Sequence, residues 1–229
     1  MDYEIMMNGS VKIGQLAPDF EAITTCGNIK LSDYKGKWVV LFSYPGDFTP
    51  VCTTEIIGFS RANTYFENLN TKLIGLSVDS NSSHLAWFND IYERTGTIIN
   101  FPIIADRNGE IARKYGMIST DISNIETVRN VFIIDDKGVI RAIFIYPMNV
   151  GRSISEIIRT LEALQTADNC KGATPLNWIQ GNPVIRYSPN TYEELQKHKQ
   201  EIIEKRNGMS WYLSFKDASG GEKNAKNNI

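Results

Sequence analysis

The sequence predicts an α/β fold in which helices flank a mixed central sheet. Three observations predict it. An uninterrupted strand-length run at residues 38–44 (WVVLFSY) and a second apolar segment at 72–79 (KLIGLSVD) read as buried strands. Segments of helical spacing follow each run, and strand–helix alternation makes successive strands parallel. Residues 130–146 (NVFIIDDKGVIRAIFIY) read instead as two strands joined at Asp136-Lys137-Gly138, a hairpin that makes the sheet mixed.

The elements follow in order. Cys26, in TTCGNIKL, falls at a hairpin turn. Pro45-Gly46-Asp47 ends the first long strand, because proline and glycine do not continue a central ladder. A helix is expected from Pro50 to about Asn68, with Thr49 as N-cap and Pro50 as its first helical residue. After the second strand, Ser82 or Ser83 can cap a helix, HLAWFNDIYERTG, that stops at Gly96. Residues 101–105 form a shorter strand. Asp106-Arg107-Asn108-Gly109 turns into a short helix ending near Tyr115-Gly116. Past the hairpin, Ser153 opens an amphipathic helix with Ile154, Ile157, Ile158, Leu161 and Leu164 on one face. Composition changes after about Ala167. Residues 168–190 read as loop, a polar helix (YEELQKHKQEIIEKR) follows, and residues 217–229, rich in Gly, Asn and Lys, read as a disordered tail. The division expected is a main domain at 8–167, an extension at 168–216 and that tail.

Composition disfavours several functions. With 24 basic and 26 acidic residues the net charge is −2, so nothing favours nucleic acid as a partner. No stretch is long and apolar enough to span a bilayer, and MDYEIMMNGS lacks the basic flank and apolar core of an export signal, so no membrane association and a cytoplasmic location are expected. Three widely spaced cysteines argue against a disulfide framework. Two histidines and no C-x-x-C pair leave no expected metal site and no cofactor.

Chemistry concentrates at Cys52. If Thr49 is the N-cap, Cys52 is the third helical residue, among unpaired backbone N–H groups at the positive end of the helix dipole. Both favour thiolate over thiol, and the thiolate is the nucleophile. The strand–turn–helix setting also places it beyond the carboxyl end of a central strand, where α/β folds carry their sites. A cysteine there can equally be a small buried apolar residue, and helix position alone does not decide between the two.

The surrounding string decides more. Pro45, Thr49 and Cys52, in DFTPVCTTE, match the peroxidatic motif of the peroxiredoxins, which the chain closely resembles. The resemblance runs from APDFEA through GLSVDS, FPIIAD, VRNVFIIDDKG and IYPMNVGRSISEIIR to about Trp178-Ile179, most of the chain. The YP-x-x-x-GR string and the long tail resemble the peroxiredoxin-6, one-cysteine subfamily. That implies a thioredoxin-like fold with a C-terminal extension that serves a homodimer, with further assembly in some members into rings such as a decamer. It implies a thiol peroxidase that reduces hydrogen peroxide and organic hydroperoxides through a cysteine sulfenic acid.

By that resemblance Cys52 attacks the peroxide, Thr49 offers a hydroxyl to the oxygen or the thiolate, and Pro45 shields the site from water. Arg129 matches the active-site arginine, catalytic and substrate-binding, and Arg152 a second arginine near the substrate. Each has a plainer reading: Thr49 a cap, Pro45 a strand stop, Arg129 a surface residue at a strand start. Glu55 matches an acidic position of the family, although glutamate in a first turn also simply complements the helix dipole.

Two departures matter. Many subfamily members have histidine where this chain has Tyr44. The G-x-S-x-G string behind the phospholipase activity of animal relatives is missing, the region reading LSDYKGKW, so no phospholipase activity is expected. The V-C-P string of two-cysteine relatives is absent, and NGMSWYLSF lacks the late cysteines of some archaeal members. A one-cysteine mechanism is expected, with an external thiol (thioredoxin-like, glutathione or another) as reductant. Cys170 is the alternative resolving residue, since a labile thiol near a loop can reach a sulfenic acid. Cys26 reads as a bystander. A peroxide sensor or redox-switched chaperone would use the same residues, and an inert binding module would leave Cys52 no more reactive than free cysteine.

Overall fold

Strands and helices alternate as the apolar pattern dictates. In the computed structural model, which describes residues 11–218, β1 (Glu21–Thr24) and β2 (Gly27–Lys30) form a hairpin with Cys26 at its turn. A single 3-10 turn, Leu31–Tyr34, leads to β3 (Trp38–Ser43), buried along its whole length. α1 (Pro50–Asn68) follows, then β4 (Thr71–Ser77), α2 (Asn81–Thr95), β5 (Ile103–Ala105) and the short α3 (Glu110–Lys114). β6 (Arg129–Ile134) and β7 (Ile140–Tyr146) make the expected hairpin. Its Gly138 has φ +85°, a left-handed conformation that costs a glycine little.

The sheet order is β2-β1-β5-β4-β3-β6-β7. β3, β4 and β5 are parallel, and β6 runs antiparallel against β3. Alternate residues of β3 face opposite ways. Val39 and Leu41 join Ile74, Leu76, Ile104, Phe132 and Tyr115 in one core cluster. Phe42 lies against α1, its ring stacked on Phe59 at 4.2 Å between centroids. Two covered faces explain the unbroken apolar run.

The cap of α2 differs from expectation. Ser80, not Ser82 or Ser83, is the N-cap, and its hydroxyl accepts the Ser83 N–H at 3.1 Å. Ser82 and Ser83 fall inside the first turn. The helix ends at Gly96 in the left-handed region, as predicted.

Among the described residues, 11–154 form one compact unit and 155–218 another. The second contains α4 (Ile154–Cys170) from its second residue on, β8 (Gly172–Ala173), β9 (Val184–Arg186), α5 (Tyr192–Lys205), β10 (Gly208–Ser210) and β11 (Leu213–Lys216). Its strands form a sheet in the order β10-β11-β9-β8, and Ala163, Trp178 and Val184 make its buried cluster. The loop reading of 168–190 therefore missed two strands. At two and three residues they are too short to show a period. The tail expected at 217–229 lies outside the described residues beyond Ala218. No helix among the described residues is long and apolar enough to cross a membrane, and no group of three metal-ligating side chains occurs among them.

Candidate active site

The site forms where β3 gives way to α1. Tyr44 extends the parallel pairing by one bond, its N–H donating to the Leu76 carbonyl at 3.0 Å, and Pro45 then ends the ladder. Thr49 is the N-cap, with φ −99° and ψ 146°, and Pro50 is the first helical residue. The Thr49 hydroxyl does not cap, however. It donates to the Gly46 carbonyl at 2.8 Å and closes the turn on itself. Cys52 is the third helical residue and is wholly buried, and Pro45 is buried beside this turn.

Two arginines converge on the first turns of α1. The Arg129 guanidinium donates from Nη1 to Cys52 Sγ at 3.2 Å and to Glu55 Oε2 at 2.8 Å. Its Nε donates to the Met148 carbonyl at 2.9 Å, and Nη2 reaches the same oxygen. Arg152 grips Glu55 in a fork, Nε to Oε1 at 2.8 Å and Nη2 to Oε2 at 2.7 Å, while its backbone N–H adds a third bond to Oε1 at 2.9 Å. Its Nη1 is taken up by the Ser43 and Asn130 carbonyls at 2.8 and 2.9 Å. The guanidinium also lies over the Phe42 and Phe59 rings, at 5.1 and 5.5 Å from their centroids.

All three charged side chains are almost completely buried. Burial pushes the Glu55 carboxyl up, but the bonds and charge of Arg152, with the charge of Arg129, outweigh it and hold the group below its ordinary value. Burial pulls the Arg152 guanidinium down, against the support of Glu55. The cluster holds two guanidinium cations and one carboxylate. The cations therefore outnumber the carboxylate, and Cys52 Sγ lies in contact with one of them.

A second buried group adjoins the turn. Asp47 accepts from the Tyr44 hydroxyl at 2.9 Å and bonds His84 Nδ1, while its backbone N–H donates to Asp79 at 2.9 Å. Burial, then the Asp47 charge, holds the Tyr44 hydroxyl well above its ordinary pKa. Cys26 is exposed, and Cys170 is half-buried in the second unit, within its apolar cluster.

The structure thus gathers Pro45, Thr49, Cys52, Arg129 and Arg152 within the first unit. Sequence reasoning matched Glu55 to an acidic position of the family and also allowed a plain dipole reading; here it bridges both arginines. It passed over Asp47 and His84, for which a single sequence offers no signal.

Comparisons with known proteins fit this geometry. The AhpC/TSA family model matches residues 13–143. A protein named Peroxiredoxin 2 from Caldanaerobacter subterraneus subsp. tengcongensis is 56% identical over 205 residues, covering 90% of this chain and 92% of that one. The chain belongs to the AhpC/TSA family, among the peroxiredoxins. Peroxiredoxins are thiol-dependent peroxidases, and that is the activity of this chain. Among solved structures, a yeast mitochondrial 1-Cys peroxiredoxin matches with a TM-score of 0.77 and 38% identity, covering 90% of this chain and 99% of that one. A peroxiredoxin 6 of Arenicola marina matches with a TM-score of 0.75 and 35% identity, covering 82% and 89%. Both support the thioredoxin-like fold.

Proposed function

We propose that Cys52 is the nucleophile. As a thiolate it attacks the distal oxygen of a hydroperoxide. The O–O bond breaks, the sulfur becomes a sulfenic acid, and the leaving oxygen departs with a proton as water or alcohol. The observation that carries this is the Arg129–Cys52 contact at 3.2 Å within a buried cluster of two guanidinium groups and one carboxylate, a setting that favours an anionic sulfur. Arg129 has donors for both sulfur and peroxide, and fixed donors aimed at developing charge are an efficient catalytic device. Arg152 holds Glu55, and through it Arg129. Pro45 and Thr49 shape the turn, whose hydroxyl can swing from Gly46 to a bound oxygen.

The sulfenic acid is reduced by external thiols. Two thiols supply two electrons and two protons, giving a disulfide, water and the Cys52 thiol. The yeast relative is described as a 1-Cys enzyme resolved through glutathione and thioredoxin systems, which supports a one-cysteine cycle with a reductant of either kind here. Cys170, the alternative resolving thiol, is free, as are Cys26 and Cys52, and free thiols suit the reducing cytoplasm. We further propose a homodimer served by residues 168–216, with a decameric ring as its further assembly.

The test is turnover and intact mass. The parent should consume many equivalents of hydrogen peroxide with a thiol donor, and Cys52→Ser none. After one equivalent without donor, mass should place a sulfenic acid on Cys52. A Cys52–Cys170 disulfide would overturn the one-cysteine cycle, and consumption halting at one equivalent with every donor would overturn turnover itself.

A further inference from the structure

We propose that the buried Tyr44–Asp47–His84 cluster is a positioning device that holds the turn at residues 45–49 closed and so sets how fast Cys52 reacts. The inference rests on the reading of Cys52 as nucleophile. The turn is short and its conformation is unfavourable. Phe48 sits at φ +55°, a left-handed geometry that a bulky side chain rarely adopts, and the residue is 57% exposed. Something must hold it there. Thr49 ties only to Gly46 within the turn, and the Asp47 N–H ties to Asp79, itself steadied by the Ser77 hydroxyl at 2.8 Å.

The Asp47 side chain supplies the remaining anchorage. His84 Nδ1 lies 3.0 and 2.9 Å from its two oxygens, and the Tyr44 hydroxyl donates to Oδ1. A carboxylate only accepts, so Nδ1 carries the proton and donates. The anchors are rigid. His84 stands near the start of α2 with no exposure, and Tyr44 directly follows β3, its carbonyl taken by the Thr127 hydroxyl at 2.8 Å. The Tyr44 and Phe48 rings both lie near Trp87 of the same helix, at 5.7 and 6.3 Å between centroids. His84 Nε2 is buried with no hydrogen-bond partner among the described residues, a cost that a filler residue would avoid. The Nδ1–Asp47 bond accounts for a histidine at this place.

The turn runs directly into the helix that begins at Pro50, so releasing Asp47 lets Phe48 relax and shifts the approach to Cys52. Two rates separate this role from a merely structural one. Reaction with peroxide needs the ordered turn, whereas alkylation of a buried thiol needs it open. In a Cys26→Ser, Cys170→Ser background, Asp47→Asn should keep a native circular dichroism spectrum. It should slow the reaction of Cys52 with hydrogen peroxide by about tenfold to a hundredfold, the usual scale for misplaced reacting groups, and hasten its alkylation by iodoacetamide. Both rates within about twofold of the parent in a folded variant would overturn the proposal, and so would both falling together, because the first means no catalytic effect and the second a direct effect on sulfur. Should Asp47→Asn fail to fold, Tyr44→Phe keeps the ring and removes one bond. The same divergence, about threefold or more, is expected there, and its absence overturns the proposal. A parent inert to peroxide would sink the peroxidase reading, and the alkylation rates would still judge the turn.

Discussion

At the scale of single residues, Glu55 does the most for the cluster. It stands one turn after Cys52 and pairs with two guanidinium groups at once. Replacing it by glutamine removes the carboxylate that both buried cations share. The expected loss is about 3–5 kcal/mol, the usual cost of breaking a buried pair, read as the urea midpoint. Its pKa gives the pH dependence a sign. A carboxyl held below its ordinary value of 4.5 contributes stability above that value and loses it as pH falls through the folded value. The parent should therefore lose stability as pH falls below about 4.5, and Glu55→Gln should show a flatter profile over that window.

At the scale of elements, the parallel pairing of β3, β4 and β5 sets the site's floor. Gly75, inside β4, leaves little room for a side chain. A Cβ there would lie 3.1 Å from Ile103 Cγ1 and 3.3 Å from the Phe42 ring. Phe42 also carries the Arg152 guanidinium on its face. Gly75→Val should thus overpack the layer by about 1–3 kcal/mol, visible as a lower Tm. It should also slow the peroxide reaction, because the displaced ring disturbs the arginine. Equal activity at lower Tm would show that the Phe42 contact does not reach the site. The amphipathic and capping signals of α1 and α2 were legible because they are local: a Pro at the first position, a Gly after the last. The cap of α2 was misplaced by two or three residues because Ser80, Ser82 and Ser83 lie within four positions and all satisfy the same rule.

At the scale of the whole molecule, the chain divides at Ile154, and the second unit has its own small core. Trp178 is its largest buried side chain, its indole N–H donating to the Asn182 carbonyl at 3.0 Å. Trp178→Ala should cost that unit about 3–5 kcal/mol. If the extension serves assembly, sedimentation should then show protomers at concentrations where the parent is dimeric, with the single-turnover rate at Cys52 retained. A dimer that persists with the second unit unfolded would remove the extension from the interface.

The sequence by itself determined the alternation of elements, the hairpin at Gly138 and the place of Cys52 in the first turn of a capped helix. These depend on neighbours within a few residues, and neighbours are what a sequence displays. The motif around Pro45 and Thr49 could be matched for the same reason. Only the tertiary structure decided the partnerships. Glu55 lies 74 residues from Arg129 and 97 from Arg152, and Asp47 lies 37 from His84. No period or cap links such positions, because packing brings them together. Tertiary structure also turned the Thr49 hydroxyl toward Gly46 and made Tyr44 a partner of Asp47. Burial then made the difference: in water these charges would be screened, and inside the fold each one needs the others.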